Sequence, residues 1–375
     1  MSPAGQWSTQ ALQAQATMGM QLTGHEPWLS VLIPAHNPGA YILEALESVM
    51  PQLDEHCELI VFNDASTDDT AVVLERLQAL HGRTGGPMVR VLSHSTGAGV
   101  SAARNALLEA ARGRWLWFLD ADDRLRAGAL AKLKAVVSQH CELQAVVVDH
   151  AVLRPSVRLK HRLRGEGHRR SLPQGGGPVP SRSALMRGLL AKGQWHVWGK
   201  VVRRDAWPTT LRFPPQRVFE DLSVVPRLMA GIDHAWYLAE PLVEYRSNPG
   251  SILGSMSRAK VCDWAHALED LVDFDRFNRF DRCDPDWAAF VAQQALRMVR
   301  VAQRLDRRAD AAAPHPGPGA IAGSAAWVDA WWHRLCAQAP TVRQAARAWV
   351  MQPRRWGDAL TARGRGWLRA QGAAA

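Results

Sequence analysis

The chain has few of the features that mark membrane-spanning, secreted or disulfide-stabilised proteins. None of its apolar runs approaches the roughly 20 residues that a helix needs to cross a bilayer. The N-terminus is polar and rich in glutamine, without the basic and apolar regions of a signal peptide. Only five cysteines are present, with no C-x-x-C pair, which argues against a disulfide framework or a structural zinc site. The sequence therefore predicts a cytoplasmic protein, either soluble or peripheral at the inner face of the membrane.

The common signatures of dinucleotide and nucleic-acid binding are absent as well. No G-x-G-x-x-G follows the first predicted strand and no Walker lysine is present, so dinucleotide and P-loop folds are disfavoured. The net charge is +10, from 45 basic and 35 acidic residues. The basic residues are concentrated at 154–170 and 343–369 and form no recognisable nucleic-acid-binding module, so we expect no nucleic-acid partner.

Strand and helix patterns alternate over residues 28–150. Short β-branched runs are each followed by turn-forming residues and then by a segment with helical periodicity, which predicts βαβ units in a mostly parallel sheet. Residues 154–180 form a basic, Gly- and Pro-rich interruption that predicts a mobile loop. The ends of the chain are interpreted as a flexible leader at 1–27 and a mainly helical region at 255–375, with a linker near 311–320.

One short stretch, Arg114–Leu125, joins an apolar run to three closely spaced carboxylates. The run is typical of a buried parallel strand, and Asp120, Asp122 and Asp123 follow at its end. Carboxylates in that position lie where open α/β sheets bind ligands. Their mutual repulsion favours a divalent cation between them and the phosphates of a substrate. A solvated acidic turn that merely ends the strand explains this stretch alone equally well.

Four polar clusters fall where the predicted strands end. They are His36–Asn37, Asn63–Asp64, Ser101 with Arg104–Asn105, and Asp120–Asp123. Because the carboxyl ends of parallel strands meet at one edge of a sheet, we expect these side chains to lie together. Independent solvated turns would not need Asp, Arg and His at the same edge in every unit. The clusters therefore predict a ligand site.

Residues 30–125 resemble the nucleotide-sugar domain of glycosyltransferase family 2. The matching motifs are V-L-I-P-A-H-N, V-F-N-D-A-S-T-D-D-T, G-V-S-A-A-R-N and F-L-D-A-D-D, in the order and spacing of the family, with weaker matches at W-G-K-V-V-R-R-D, F-E-D and Y-R-S-N-P-G-S-I. The resemblance implies the GT-A fold over residues 28–254, a Rossmann-like, mostly parallel α/β sheet flanked by helices. Residues 28–150 would form its nucleotide-sugar half and residues 151–254 its acceptor half.

The resemblance also implies a site for a nucleotide-diphospho-sugar donor, with a UDP-sugar as the first expectation. Asp64 corresponds to the aspartate that hydrogen-bonds the base. Arg104 corresponds to a basic residue that helps to hold the donor, and a salt-bridging helix arginine is its alternative interpretation. Asn63 stands where many members carry another aspartate, and His36 where many carry tyrosine. The other residues of the implied donor site are Pro34, Ala35, Asn37, Asp120, Ala121 and Asp122.

A Mg²⁺ or Mn²⁺ ion is implied by the family's D-x-D motif, with Asp122 as its main ligand and Asp120 and Asp123 as further ligands. Such an ion acts as a Lewis acid on the leaving diphosphate. The resemblance places the general base for the acceptor hydroxyl at Asp221 in F-E-D. Taken alone, Glu220–Asp221 is better explained as an acid pair stabilised by the dipole at a helix N-terminus. Direct displacement by the acceptor would invert the anomeric centre.

These features predict an inverting hexosyl- or N-acetylhexosaminyltransferase that acts on a glycan or lipid-linked acceptor in the synthesis of cell-surface polysaccharide or lipopolysaccharide. The basic, tryptophan-rich C-terminal helices suit contact with an anionic membrane, and core packing explains them equally well. The main alternative is a non-catalytic nucleotide-sugar or glycan-binding protein on the same scaffold. A nucleotidyltransferase ranks last, because the loop A-H-N-P-G after the first strand is not a Gly/Arg-rich phosphate loop.

A few residues outside the main motifs carry weaker expectations. Trp195 and Trp198 either stack on sugar rings or pack in the core. Lys200 either faces a phosphate or is solvated. Tyr245 and Arg246 begin a predicted loop, and the sequence assigns them no role.

Overall fold

The computed structural model describes residues 26–81, 87–154, 156–157, 159–163, 165–247, 255–278, 285–312, 328 and 330–334. The leader predicted at 1–27 therefore lies outside the described residues except for its last two positions. The linker predicted near 311–320 lies outside them except for residues 311 and 312.

Within the described residues, nine strands form one sheet. The central strands are near-continuous apolar runs, as in β1, whose seven residues LSVLIPA are all buried. Such runs are typical of strands that are covered on both faces. The strands are β1 Leu29–Ala35, β2 Cys57–Asp64, β3 Met88–His94, β4 Trp115–Phe118, β5 Arg124–Leu125, β6 Ala145–Leu153, β7 Gly177–Pro178, β8 Lys200–Arg203 and β9 Ala235–Arg246.

The helices of the described residues flank this sheet and follow the strands in alternation up to residue 139. They are α1 Tyr41–Val49, α2 Thr70–His81, α3 Val100–Ala110, α4 Ala129–Gln139, α5 Leu159–Leu163, α6 Arg182–Lys192, α7 Glu220–Ala230, α8 Arg258–Asn278 and α9 Pro285–Ala312. Short 3₁₀ turns occur at Met50–Gln52, Val197–Gly199 and Arg204–Ala206.

The strand order is β3-β2-β1-β4-β8-β6-β9-β5, with β7 paired to β9. Strands β1 to β4 are mutually parallel, which confirms the parallel sheet predicted for residues 28–150. Strand β8 runs antiparallel between β4 and β6 and was not predicted, because its four residues are too few to show a pattern. The carboxyl ends of β2, β1 and β4 therefore meet at one edge of the sheet.

Alternate residues of β1 enter two different hydrophobic cores, as expected when successive side chains point to opposite faces. Val31 and Ile33 pack in the core that contains α1, α2 and α4. Leu32 packs in the larger core that contains α3, α6, α7 and the C-terminal helices α8 and α9. The sheet is thus the shared wall of both cores.

The C-terminal helices contribute tryptophans to the larger core. Trp264, Trp287 and Trp331 are each at most 5% exposed, and they share this core with Leu32 of the sheet. Core packing therefore accounts for these three tryptophans, whereas the prediction of membrane contact stays a prediction. Across the part of the chain that the structure describes, no helix has both the length and the apolar character needed to cross a membrane.

The segment 154–180 was predicted as a loop without periodicity, but its described part contains α5 and β7. The mobility predicted for it stays a prediction. Fully buried Asp149 of β6 anchors the segment: one carboxylate oxygen accepts from the N–H of Ser171 at 2.6 Å and the other from Nε2–H of His168 at 2.6 Å. The Tyr237 hydroxyl donates to the same carboxylate at 2.8 Å. Asp149 and Tyr237, which lie outside residues 154–180, thus fix this segment although its composition is typical of a loop.

The loop predicted to begin at Tyr245 also begins later than expected. Tyr245 and Arg246 lie in β9, where they pair with Val152 and Leu153 of β6. This parallel pairing overrides the turn-forming composition that follows, and residues 248–252 of the predicted loop lie outside the described residues.

Candidate active site

A cavity of about 660 Å³ opens at the carboxyl ends of β1, β2 and β4. Five separate segments of the chain line it. Parallel pairing brings the polar ends of β1, β2 and β4 to this edge of the sheet, and residues before and at the start of α7 complete the lining. Every residue that the sequence assigned to the donor site lines the cavity, namely Pro34, Ala35, His36, Asn37, Asp64, Arg104, Asp120, Ala121 and Asp122. The expected residues are therefore together, and their individual roles stay predictions.

The loop after β1 is fixed to the loop after β2 by polar contacts. Nδ1–H of His36 donates to the carbonyl oxygen of Asp64 at 2.6 Å, since a carbonyl can only accept. The side-chain oxygen of Asn37 accepts from the N–H of Thr67 at 2.7 Å, and the N–H of Asn37 donates to Ser66 Oγ at 3.0 Å. Asn37 has a φ of 48°, a left-handed conformation that asparagine tolerates better than most residues. The two loops thus present His36 and Asn37 to the cavity as one unit.

Asp64, at the end of β2, is only 3% exposed. Its Oδ1 accepts from the N–H of Ala98 at 2.8 Å and its Oδ2 from the N–H of Gly99 at 2.7 Å. Gly99 has a φ of +88°, which side-chain-bearing residues rarely adopt, so glycine lets this loop turn its N–H toward the carboxylate. A carboxylate offers about four acceptor sites, so Asp64 can still accept from a ligand. Its contact with a nucleotide base stays a prediction.

Asp120, Ala121 and Asp122 line the cavity directly after β4, and we call these three residues the acidic rim. Burial, followed by the charge of Asp120, raises the pKa of Asp122 to about 6. Asp123 is fully buried, and burial together with the charges of Asp120 and Asp122 raises its pKa well above the usual value. The loop therefore concentrates carboxylates whose ionised forms are disfavoured by burial and by one another's charge.

Asp123 differs from its neighbours in that it does not line the cavity. Its Oδ1 accepts from the backbone N–H of Arg246 at 2.7 Å, while its Oδ2 has no hydrogen-bond partner among the described residues. The metal-ligand role predicted for Asp123 stays a prediction, and its visible contact is with β9.

Arg246 holds the acidic loop from outside the predicted motif. Its Nε–H donates to the carbonyl oxygen of Asp122 at 2.8 Å, and its Nη2–H donates to Glu44 at 2.6 Å. The guanidinium carbon lies 4.4 Å from the ring centroid of Tyr41, which itself lines the cavity. Sequence reasoning missed both Arg246 and Tyr41, since neither lies in a cluster of polar residues at a predicted strand end.

Arg104 is the buried cation of the site, at 3% exposure. Its guanidinium donates to Asp120 at 2.9 Å, to Asp221 at 2.9 Å, and also to Glu220. Burial lowers the pKa of Arg104, but the charges of Asp221, Asp120 and Glu220 outweigh it and raise the pKa above its already high value. Arg104 thus lines the cavity and also forms salt bridges, so both interpretations of this residue describe part of its environment. It joins the acidic rim to the F-E-D motif.

Glu220 and Asp221 begin α7, immediately after Phe219, which has a left-handed φ of 63° and stacks on Trp264 of α8 with ring centroids 5.0 Å apart. Asp221 Oδ2 accepts from the N–H of Val197 at 3.0 Å, and Oδ1 accepts from Arg104. Asp221 does not line the cavity, so the side chain predicted as the base is joined to it through Arg104.

Glu220, which sequence reasoning did not place in the site, is the acid of this motif that lines the cavity. Burial raises its pKa to about 7, with Arg104 opposing the rise and Asp221 adding to it. Its Oε2 has no hydrogen-bond partner among the described residues. The only sequence signal for Glu220 was its position beside Asp221 in F-E-D.

An aromatic turn precedes β8. Trp195 is 4% and Trp198 2% exposed, so both pack in the core and neither offers a free ring to a sugar. The exposed ring is that of His196, which stacks on Trp198 with centroids 4.8 Å apart. Lys200 was expected to face a phosphate or solvent, and both expectations are wrong. It is 2% exposed, and its Nζ donates to the carbonyls of Gln194 and His196 at 2.5 and 2.9 Å.

The acidic rim suits a divalent cation chemically. Mg²⁺ and Mn²⁺ prefer oxygen ligands, and Mg²⁺ is commonly held by one or two carboxylates together with substrate phosphates. Among the residues that the structure describes, no group of three or more His, Cys, Asp or Glu side chains is arranged to hold a metal by itself. Asp122 and Asp120 are the carboxylates of the acidic rim, so they are the side chains that would hold a cation there.

Comparison with known sequences points to one family. Residues 30–190 match the family model described as Glycosyl transferase family 2. A putative teichuronic acid biosynthesis glycosyltransferase, TuaG, of Bacillus subtilis (strain 168) is 33% identical over 121 residues, which cover 32% of this chain and 46% of that protein. A chondroitin synthase of Pasteurella multocida (strain Pm70) is 36% identical over 104 residues, 28% of this chain and 10% of that protein. The chain thus spans less than half of the length of these curated relatives.

Comparison with solved structures identifies the fold. The crystal structure of S. aureus TarS 1-349 in complex with UDP-GlcNAc aligns with a TM-score of 0.50 at 16% identity, covering 85% of this chain and 91% of that one. The predicted GT-A fold, a mostly parallel sheet flanked by helices, is confirmed by this likeness.

Proposed function

Residues 30–190 match the glycosyltransferase family 2 model, and on that premise we propose that the protein is an inverting, metal-dependent glycosyltransferase of this family. It moves a sugar from a nucleotide-diphospho-sugar to a hydroxyl group of a glycan or lipid-linked acceptor. One observation carries the proposal. A single cavity brings together the predicted base pocket, the acidic rim and a buried arginine that pairs with three carboxylates.

The cavity suits a UDP-sugar in size and in chemistry. Its volume of about 660 Å³ is typical of small-molecule sites, which span roughly 300–1,000 Å³. Pro34, Ala35 and Tyr41 offer apolar surface to a base, and Asp64 offers a carboxylate to the base N–H. TarS, which shares the fold, was crystallised with UDP-GlcNAc, so this sugar nucleotide is the first donor to test.

The acidic rim lies where the diphosphate of the donor must be held. Asp122 and Asp120 together with a diphosphate would repel one another without a cation between them. Bound there, Mg²⁺ or Mn²⁺ stabilises the negative charge that develops on the leaving diphosphate. The raised pKa of Asp122 supports a cation partner, because burial and the charge of Asp120 both disfavour the ionised carboxylate and a bound cation would offset them.

Asp221 is the general base of the proposed reaction. It takes the proton of the acceptor hydroxyl as that oxygen forms a bond to the anomeric carbon, while the bond from this carbon to the diphosphate breaks. A single displacement of this kind inverts the anomeric configuration. Arg104 and the N–H of Val197 orient the Asp221 carboxylate, which supports a directed rather than a freely rotating base.

The relatives indicate the kind of process in which such a reaction would serve. TuaG is named for teichuronic acid biosynthesis, and the Pasteurella multocida relative is a chondroitin synthase. Both names refer to polysaccharide synthesis, and we extend that role to this chain. The synthesis of a cell-surface polysaccharide or lipopolysaccharide, at the inner face of the membrane, is the proposed setting.

The direct test is the release of nucleotide diphosphate from UDP-GlcNAc, UDP-glucose, UDP-galactose, UDP-glucuronate and GDP-mannose, each with MgCl₂ or MnCl₂. We expect release from at least one donor, and we expect EDTA to abolish it. A thermal shift with UDP measures binding separately. The absence of release from every donor, with no shift by UDP, would contradict the proposal.

A non-catalytic nucleotide-sugar-binding protein is the second candidate, and one observation favours it. Both oxygens of Asp221 are already engaged, by Arg104 and by Val197, as expected of a structural carboxylate. The Asp221→Asn variant separates the two functions. If Asp221 is the base, UDP binding persists and turnover collapses; if the protein only binds, the wild type shows no turnover to lose.

A further inference from the structure

Lys200 is a buried cation that the proposed reaction does not use. It begins β8 and is 2% exposed, although lysine is almost never fully buried without a charged partner. Among the described residues, no carboxylate lies within ion-pair distance of its Nζ. Burial lowers the pKa of Lys200 to about 7, and Asp221 is the nearby charge that opposes this change. Such a costly placement calls for a structural reason.

The contacts of Lys200 are two backbone carbonyls of the same short turn. Nζ donates to the carbonyl oxygen of Gln194 at 2.5 Å and to that of His196 at 2.9 Å. The carbonyl of His196 also accepts from the N–H of Gly199 at 3.3 Å. A protonated amine has three N–H donors and a neutral amine still has two, so either form can hold both carbonyls. The side chain thus closes the turn that leads into β8.

This turn presents one backbone donor to the F-E-D motif. The N–H of Val197, which lies between the two carbonyls held by Lys200 and the start of β8, donates to Asp221 Oδ2 at 3.0 Å. Resting on the function proposed above, we infer that Lys200 is a positioning residue that fixes this turn so that the N–H of Val197 orients the Asp221 carboxylate.

The physical need for this orientation comes from Arg104. Its guanidinium is a planar fork that can bind both oxygens of one carboxylate. The N–H of Val197 holds Oδ2 of Asp221 away from the guanidinium, which contacts Oδ1. Without that N–H, the carboxylate is free to rotate and to place both oxygens against Arg104. The base would then be turned from the acceptor hydroxyl while the donor cavity stayed intact.

Val197→Pro tests the backbone contact itself. Proline removes the N–H, and this site accepts it because Val197 is the first residue of a 3₁₀ turn and His196 before it is extended, with φ of −62° and ψ of 132°. Val197→Ala is the matched control, because it also trims the side chain but keeps the N–H. With UDP-GlcNAc and Mn²⁺, we expect kcat for UDP release to be about tenfold or more lower in the proline variant than in the alanine variant.

Lys200→Met tests the side chain that fixes the turn. Methionine has a similar length and no amine, so the two carbonyls lose their donor. We expect kcat to fall about tenfold, with the KM for UDP-GlcNAc and the Kd for UDP within about twofold of the wild type. Lys192→Met replaces an exposed lysine at the end of α6, and we expect it to leave all three constants unchanged.

Hydrogen exchange provides a measurement that needs no turnover. In Lys200→Met, the amide protons of residues 194–199 should exchange at least about tenfold faster than in the wild type, while peptides from β1 and β2 should not change. If wild-type protein releases no UDP from UDP-GlcNAc, the use of that donor fails, and exchange still decides the role of Lys200. Unchanged exchange in Lys200→Met, equal kcat in the two Val197 variants, or a loss of UDP affinity as large as the loss of kcat would each overturn the inference.

Discussion

Buried carboxylates occur at both ends of the central strands, but the number of donors available to each carboxylate differs between the two ends. Near the amino end of β2, Glu58 is fully buried, and its Oε1 accepts from Ser30 Oγ at 2.5 Å, from the N–H of Arg112 at 2.6 Å and from the N–H of Gly113 at 3.1 Å. Arg90 lies 3.5 Å from its other oxygen. A side-chain Cβ on Gly113 would lie 2.5 Å from the backbone nitrogen of Ser30, so the fold also excludes larger residues there.

At the carboxyl ends the carboxylates outnumber their partners. Arg104 is shared among three of them, whereas Glu58 Oε1 alone accepts three hydrogen bonds. Glu58 Oε2, Asp123 Oδ2 and Glu220 Oε2 alike have no hydrogen-bond partner among the described residues, so the difference lies in the number of donors that each carboxylate has for itself. The pKa values of Asp122 and Glu220 are raised, to about 6 and about 7. A carboxylate surrounded by donors stabilises the fold, whereas carboxylates left in excess mark the end of the sheet where a cation or a ligand is expected.

The largest effect should come from removing a carboxylate of the acidic rim. Asp122→Ala should lower the rate of nucleotide diphosphate release by about a thousandfold, because the proposed cation would lose the carboxylate predicted as its main ligand. The free energy of unfolding should not fall, since burial already disfavours the ionised form of Asp122. Full activity in this variant would contradict the proposal that the acidic rim at the carboxyl ends of the strands holds a cation.

At the amino end of β2, removing the buried carboxylate should lower stability rather than activity. Glu58→Ala leaves the donors of Ser30, Arg112 and Gly113 without their acceptor, so we expect the free energy of unfolding to fall by about 3 kcal/mol. The kcat of the folded enzyme should stay near the wild-type value. Denaturant unfolding measures the first quantity, and Glu55→Ala, at an exposed neighbouring acid, provides the control. A loss of kcat without a loss of stability would contradict the structural role assigned to Glu58.

His150 extends the comparison to a buried base that lies among other basic side chains. It is 6% exposed, and burial, followed by the charges of His196, Lys200, Arg169 and His168, lowers its pKa to about 3. The folded state therefore binds fewer protons than the unfolded state between about pH 3 and pH 6.5.

The contribution of His150 to stability is therefore present above pH 6.5 and lost as the pH falls. Between pH 7 and pH 5 the wild type should lose about 2 kcal/mol more of its free energy of unfolding than His150→Phe. Unfolding curves of both proteins at the two pH values measure this difference. Equal losses would show that His150 accepts a proton in the folded protein.

The smallest effect is expected at the loop contact of Asp68. Its carboxylate accepts from the Thr70 hydroxyl, from the N–H of Gly39 at 2.7 Å and from the N–H of Thr70 at 3.1 Å. Burial raises the pKa of Asp68, but these hydrogen bonds outweigh it and lower the pKa below its usual value. Asp68→Ala should lower the free energy of unfolding by about 1 kcal/mol, as for a lost helix cap. It should also weaken UDP binding by a few-fold, since the loop with His36 would be less ordered. Calorimetry with UDP tests the second effect, with exposed Asp69→Ala as the control.

Sequence patterns predicted the cavity residues that follow β1, β2 and β4 because these residues lie at the ends of strands within regular βαβ units. His36, Asp64 and Asp120 each follow an apolar run, and parallel pairing then brings them to one edge. Their assembly in one cavity is a consequence of topology, and topology could be predicted from the alternation of strands and helices.

The other side of the site depends on contacts that no local pattern records. Arg104 and Glu220 are 116 positions apart, and Arg246 and Asp122 are 124 positions apart. Lys200 was misjudged because lysine is normally exposed, and its burial depends on two carbonyls supplied by the preceding turn. Glu58 was hidden inside an apolar strand, where a single acid changes neither the periodicity nor the composition.

Through Phe219, the C-terminal helix α8 helps to position the first residues of α7, which include Glu220 and Asp221. A side-chain-bearing residue with a φ of 63° costs roughly 1–2 kcal/mol relative to the right-handed region. The stacking of its ring on Trp264 of α8 holds it there, and α7 starts with Glu220 and Asp221 at the very next positions. A chain cut after α7 would let Phe219 relax and would turn the first residues of that helix. The smallest piece able to keep this geometry therefore extends at least into α8, well past residue 190 where the family match ends.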